Sequence, residues 1–131
     1  MILDTSFLID LLRKGDEQAK NKAEELDQKL EVKSITSISI MELWRGALRS
    51  ANREHEKQKI EGLISSLMSY TFNELAAKKA AEIEENLRMS GEMIDLEDVM
   101  IAAIALVHHE KVLTRNVKHF ERIKNLRVET Y

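Results

Sequence analysis

Four polar side chains stand where a parallel α/β sheet would gather them. Asp4 directly follows the apolar run Met1 to Leu3, and Asn116 follows Val112-Leu113-Thr114 in the same manner. Glu42 lies in the first turns of an amphipathic stretch after the Ser/Thr-rich segment Val32 to Ile38, and Asp98 abuts nine consecutive apolar residues, Val99 to Val107. In open α/β sheets, binding sites form beyond the carboxyl ends of the strands, where these positions can converge. Carboxylates within a few ångströms of one another repel, and stay ionised together only around a shared cation. The chain has no cysteine, so that cation is held by oxygen or imidazole ligands. Mg²⁺, with Mn²⁺ as its substitute, prefers octahedral oxygen and commonly meets substrate through phosphate oxygens. In-line hydrolysis of a phosphodiester needs such ions to activate water and neutralise the leaving oxygen, so the expected reaction class is a hydrolytic nuclease.

Each residue taken singly has a plainer explanation. Asp4, Thr5 and Ser6 all cap helices well ahead of Phe7. At about 100° per residue, Glu42 falls nearly opposite the face marked by Ile40, Leu43, Trp44 and Ala47. There it lies beside Arg45 and Arg49, as a solvated ion pair would. Asp95 suits a helix N-cap, with Glu97 and Asp98 favoured by the positive end of the helix dipole. Against that, a carboxylate entering a core requires a partner or a cation. Capping explains Asn116 as well. What argues for a shared site is recurrence: polar groups end two apolar strands and begin two helices.

The elements that must position these residues alternate between short apolar runs and longer amphipathic stretches, which predicts parallel α/β architecture. Strands are expected at Met1 to Leu3, Val32 to Ile38, Tyr70 to Phe72, Lys111 to Thr114 and Leu126 to Tyr131. Helices are expected from Phe7 toward Gly15, over Asp16 to Leu30, from Ile40 to Leu48, over Asn52 to Ser66 and over Glu74 to Met89. Two more are expected from Asp95 through Val107 and over Asn116 to Arg122. The helix from Asp95 is apolar on every side and should be buried between other elements. At 131 residues the chain suits one domain.

A composition of 44% hydrophobic and 33% charged residues excludes disorder. No apolar stretch approaches the roughly 20 residues a membrane span needs, and no secretory signal is evident, so a cytoplasmic location is expected. The net charge of −3 argues against a protein that coats nucleic acid broadly. Charge is unevenly placed, however. Between Asn73 and Asp98 eight acids face three bases, whereas from His108 onward Lys111, Arg115, Lys118, Arg122, Lys124 and Arg127 outnumber Glu110, Glu121 and Glu129. An acidic centre beside a basic flank suits a metal site handling a phosphate backbone, with Arg115, Lys118 and Arg122 as candidate RNA contacts; solvated helix faces would give the same counts.

In order and spacing, the chain resembles the VapC-type toxins of the PIN-domain superfamily. The resemblance is carried by Leu3-Asp4-Thr5-Ser6-Phe7-Leu8-Ile9, Ile38-Ser39-Ile40-Met41-Glu42-Leu43 with Gly46, Asp98-Val99-Met100-Ile101-Ala102-Ala103, and Leu113-Thr114-Arg115-Asn116 with the tail Phe120-Glu121-Arg122-Ile123 and Leu126. It implies a three-layer α/β/α sandwich around a mainly parallel sheet of about five strands. It also implies a metal-dependent endoribonuclease acting as the toxin of a toxin–antitoxin pair, with a VapB-like antitoxin, a homodimer, and a higher assembly with that antitoxin. Carried over by position, Asp4, Glu42 and Asp98 form the acidic triad, Asp4 and Asp98 binding metal most directly and Glu42 helping to hold metal or its water. Ser6 orients Asp4, Thr114 is a further supporting residue, and Asn116 takes the fourth polar position. Many relatives carry Asp where Asn116 stands, which implies one firm metal and a weaker second. Relatives often carry Asp before the Phe of the tail; here His119 occupies that place, and an exposed polar position is expected for it. Alternatives in the same superfamily are a nuclease of RNA processing or DNA metabolism, and an RNA-binding module without turnover.

Overall fold

The computed structural model describes residues 1–131. Five short strands, β1 (Ile2–Leu3), β2 (Ser34–Thr36), β3 (Met68–Tyr70), β4 (Val112–Leu113) and β5 (Val128–Glu129), form one sheet. Seven helices connect them: α1 (Thr5–Leu12), α2 (Glu17–Gln28), α3 (Ser37–Leu48), α4 (Arg53–Ser65), α5 (Glu74–Ser90), α6 (Leu96–Val107) and α7 (Val117–Phe120). The strand order is β3-β2-β1-β4-β5 and every pairing is parallel. The first strand is therefore central, with β2 on one side and β4 on the other.

Side chains alternate across a strand, and the two cores follow from that alternation. Ile2 and Val112 point to one face and pack with α5, α6 and Phe120 of α7. Leu3, Ile35 and Leu113 point to the other and pack with the apolar faces of α1, α2, α3 and α4. Three layers result, as expected. The helix α6 is enclosed as its composition requires: Val99 and Ile101 through Ala105 are all buried. Its alanines at 102, 103 and 105 keep it thin, and it shares one core with α5 and the strand residues Ile2 and Val112. No helix is long and apolar enough to cross a membrane.

Four strands are shorter than their apolar runs, and the third is displaced from the expected Tyr70 to Phe72 to Met68–Tyr70. β2 stops at Thr36 because the Thr36 hydroxyl accepts the Ser39 N–H at 3.2 Å and caps α3, which begins three residues ahead of Ile40. β3 begins at Met68, whose N–H joins Lys33 O, while Phe72 leaves the ladder to donate its N–H to Ser37 Oγ at 3.0 Å. The end of α5 follows its glycine. Gly91 has φ +69° and returns its N–H to Arg88 O at 3.2 Å. A Cβ there would meet no atom within 4 Å, so Gly91→Ala is expected to cost only the left-handed backbone penalty, about 1 kcal/mol. Urea denaturation checks it: a loss well above this would mean a packing role.

Candidate functional site

All strands are parallel, so their carboxyl ends share one edge of the sheet, and three of the expected residues meet on it. Asp4 leaves β1 and is 2% exposed. It occupies the N-cap position of α1, yet its side chain makes no capping bond. Instead Oδ2 accepts from Ser6 Oγ at 2.9 Å and from Thr114 Oγ1, at the end of β4, at 2.7 Å. Two neighbouring strands are thereby tied to one oxygen. The capping explanation fails similarly at Asp95 and Asn116, which hold N-cap positions without a side-chain cap bond.

Glu42 reaches the same edge from α3, contrary to its expected place on the solvated face. Thr5 Oγ1 donates to its Oε1 at 2.7 Å and also contacts Ser39 Oγ at 2.8 Å. Burial holds its carboxyl above the ordinary carboxylate range, opposed by the Thr5 hydroxyl and reinforced by repulsion from Asp4, Glu97 and Asp98. Asp98, in the first turn of α6, is likewise held high by burial, which the His119 bond opposes, while Asp4 and Asp95 add repulsion. These mutual repulsions identify one cluster built from three separate parts of the chain.

His119 corrects the expectation of a merely exposed position. Its Nδ1 lies 2.8 Å from Asp98 Oδ2, with the histidine side chain 40% and the aspartate 14% exposed. Bonding to a carboxylate selects the Nδ1–H tautomer and fixes the Asp98 rotamer. Ligand atoms of Asp95, Asp98 and His119 lie within 4.8 Å of one another. Asn116 joins through its backbone, donating its N–H to Thr114 Oγ1 at 2.9 Å; its side chain is exposed and makes no hydrogen bond within the chain.

On the basic flank, Lys118 and Arg122 are exposed, with Arg122 Nη1 donating to Met93 O at 3.3 Å. Arg115 is different, because its Nη1 is engaged by the buried Asp10. Sequence reasoning missed three participants: Thr5, His119 and Asp10. For Thr5 a signal existed. Three successive capping-type residues open α1, and a helix has only one N-cap position, so two of them were free for other bonds.

Each carboxylate of the cluster spends one oxygen on a neighbouring donor. Asp4 Oδ1, Glu42 Oε2 and Asp98 Oδ1 are left without a partner in the chain, and no lysine or arginine is bonded to any of the three. Hard oxygen donors, convergent charge and no lysine or arginine counter-ion fit a divalent cation.

A model of the PIN domain matches residues 1–126. The tRNA(fMet)-specific endonuclease VapC of Salmonella typhimurium is 33% identical, over 86% of this chain and 88% of that protein. Ribonuclease VapC2 of Rickettsia felis is 28% identical over 99% of this chain and 96% of its own length. Among solved structures, VapBC2 from Rickettsia felis bound to a promoter DNA fragment superposes with a TM-score of 0.90 at 28% identity, covering 99% of this chain and 97% of that one. DNA-bound VapBC from Salmonella typhimurium gives a TM-score of 0.89 at 30% identity, covering 98% and 96%.

Proposed function

The chain belongs to the PIN domain family, and on that premise we propose that it is a Mg²⁺-dependent endoribonuclease, Mn²⁺ substituting, and the toxin half of a VapBC toxin–antitoxin pair. The relatives named above are ribonucleases and their solved complexes are VapBC assemblies. The observation that carries the reading is the set of three free carboxylate oxygens, each on an acid whose other oxygen is tethered.

Asp4 and Asp98 are the residues that would hold the metal, with Glu42 completing the acidic set. When bound, a divalent cation supplies Lewis acidity toward the phosphodiester and lowers the pKa of water. The chain's own part is orientation. Ser6 and Thr114 fix Asp4, Thr5 fixes Glu42 so that Oε2 accepts a hydrogen bond from the attacking water, and His119 fixes Asp98. Lys118 and Arg122 contact backbone phosphates beyond the scissile one. The antitoxin is expected to insert an Arg or Lys into the acidic edge, where it would replace the cation's charge. A homodimer that assembles further with antitoxin, acting on RNA in the cytoplasm, completes the proposal.

Digestion of total RNA with mapped cut sites, with Mg²⁺ or EDTA and with DNA alongside, tests this directly. Metal-dependent cuts in RNA and none in DNA are expected. Uncut RNA, or DNA cut equally well, would refute the toxin ribonuclease. Binding must also appear as stability, because a ligand that binds only the folded chain raises Tm by mass action. Several degrees of stabilisation by Mg²⁺ or Mn²⁺ are expected in a thermal melt, and an unchanged Tm at millimolar metal would count against the centre.

A further inference from the structure

Asp10 is a buried carboxylate with no part in the metal centre. It lies on α1, 2% exposed. Both of its oxygens accept from a single nitrogen of Arg115, Nη1, at 2.8 and 2.7 Å, and Oδ2 also accepts from the Tyr131 hydroxyl. The Tyr131 ring meets Phe7 edge-on, with centroids 4.8 Å apart, which fixes the hydroxyl in place. A guanidinium carries five N–H donors in one plane. Two of them, on Nη1, face Asp10; those on Nε and Nη2 have no partner in the chain, and the Arg115 side chain is 54% exposed.

This half-anchored arginine stands beside the acidic edge. Its backbone N–H donates to Ser6 Oγ at 3.2 Å, and the same Ser6 hydroxyl donates to Asp4 Oδ2. A free exposed arginine must give up rotamer entropy to grip a ligand, whereas one already held at Nη1 has given it up on folding. Its remaining donors form the planar fork that matches two phosphate oxygens. Asp10 also cancels most of the long-range charge, so this fork acts through directed hydrogen bonds rather than through attraction at a distance.

We propose that Arg115, oriented by Asp10 and Tyr131, is a preformed fork for a backbone phosphate of the RNA, adjacent to the one held at the acidic edge. The nature of the ligand rests on the ribonuclease reading; the fork rests on the Asp10 geometry. Arg115 is then a binding residue, and Asp10 and Tyr131 are positioning residues.

The test uses the full chain and a fluorescent single-stranded RNA. Binding is read by anisotropy with an Asp98→Asn background, so that the RNA survives, and KM and kcat are read in the native background. Arg115→Lys retains charge but loses the fork and should weaken binding roughly tenfold or more, raising KM to match with kcat within about twofold. Asp10→Asn, which leaves the arginine charge in place, should weaken binding in the same direction. Tyr131→Phe keeps the ring on Phe7 and should weaken it roughly two- to threefold, a readout available even where Asp10→Asn fails to fold. Binding by Arg115→Lys within twofold of the parent, or tighter binding by a folded Asp10→Asn, overturns the fork. RNA that is cut normally by Arg115→Lys at unchanged KM sinks the fork and spares the ribonuclease. RNA that is bound through Arg115 but never cut by the native chain does the reverse.

Discussion

Asp98→Asn is expected to lower metal-dependent RNA cleavage on the order of 10³-fold, the scale of losing a group that organises charge in the transition state, while leaving the metal-free protein at least as stable as before. The two halves have one cause. Asp98 is held above its ordinary value of 3.8 by burial, and by the charges of Asp4 and Asp95, more than the His119 bond lowers it. A carboxyl whose folded-state pKa exceeds its unfolded one makes the folded chain bind more protons in the window between them. Its contribution is therefore favourable below that window and is lost as pH rises through it. At neutral pH the ionised Asp98 destabilises the empty site, and Asn removes that cost while its Oδ1 still accepts from His119. Glu42 is raised likewise, by burial and by the charges of Asp4, Glu97 and Asp98, so the contribution of these two carboxyls to the stability of the metal-free protein should fall as pH rises above the ordinary carboxylate range. Thermal melts in EDTA at pH 7, paired with cleavage assays in Mg²⁺, check both parts. A variant that cuts RNA within tenfold of wild type, or melts clearly lower in EDTA, contradicts the cluster as described.

The sequence carried the alternation of strands and helices because apolar period is set by which faces are buried, and burial here is simple: one sheet, two cores. Asp4 and Asp98 were legible as oddities, charges abutting apolar runs. Glu42 was not, and the reason is geometric. Its expected face was drawn from Ile40, Leu43, Trp44 and Ala47 because Ile38 and Ser39 were assigned to a strand. The Thr36 cap starts the helix at Ser37, and Ile38 and Ser39 then join Leu43 and Ala47 as its buried residues. Ile40 and Trp44 are only partly buried, and at about 100° per residue this exchange turns the centre of the buried face toward Glu42, from nearly opposite to roughly 80° away. A one-turn error in a helix start thus moved a site residue from the solvated face to the flank of the buried one. Among the hydroxyl tethers, Ser6 and Thr114 were named through the resemblance, and that of Thr5 was not. Thr5 and Thr114 act on carboxylates 37 and 110 residues away, and no local pattern encodes such pairings.

His119 lies in the same category, and it is where the second large effect is expected. His119→Ala should weaken Mg²⁺ or Mn²⁺ binding and cleavage together by about 10- to 100-fold, the range typical of removing a group that orients a metal ligand. The imidazole's one hydrogen bond within the chain is to Asp98 Oδ2, at 2.8 Å, so it is expected to act by holding that carboxylate in place. Its loss frees the Asp98 side chain to rotate and removes the donor that opposes the effect of burial and neighbouring charge on Asp98. His119→Gln offers an amide N–H in place of the imidazole and should recover part of the loss, which separates orientation from charge. Because Mn²⁺ affinity can be read by calorimetry without any RNA, the effect is measurable apart from turnover. Equal Mn²⁺ affinity in wild type and His119→Ala would show that Asp98 needs no help in holding its place.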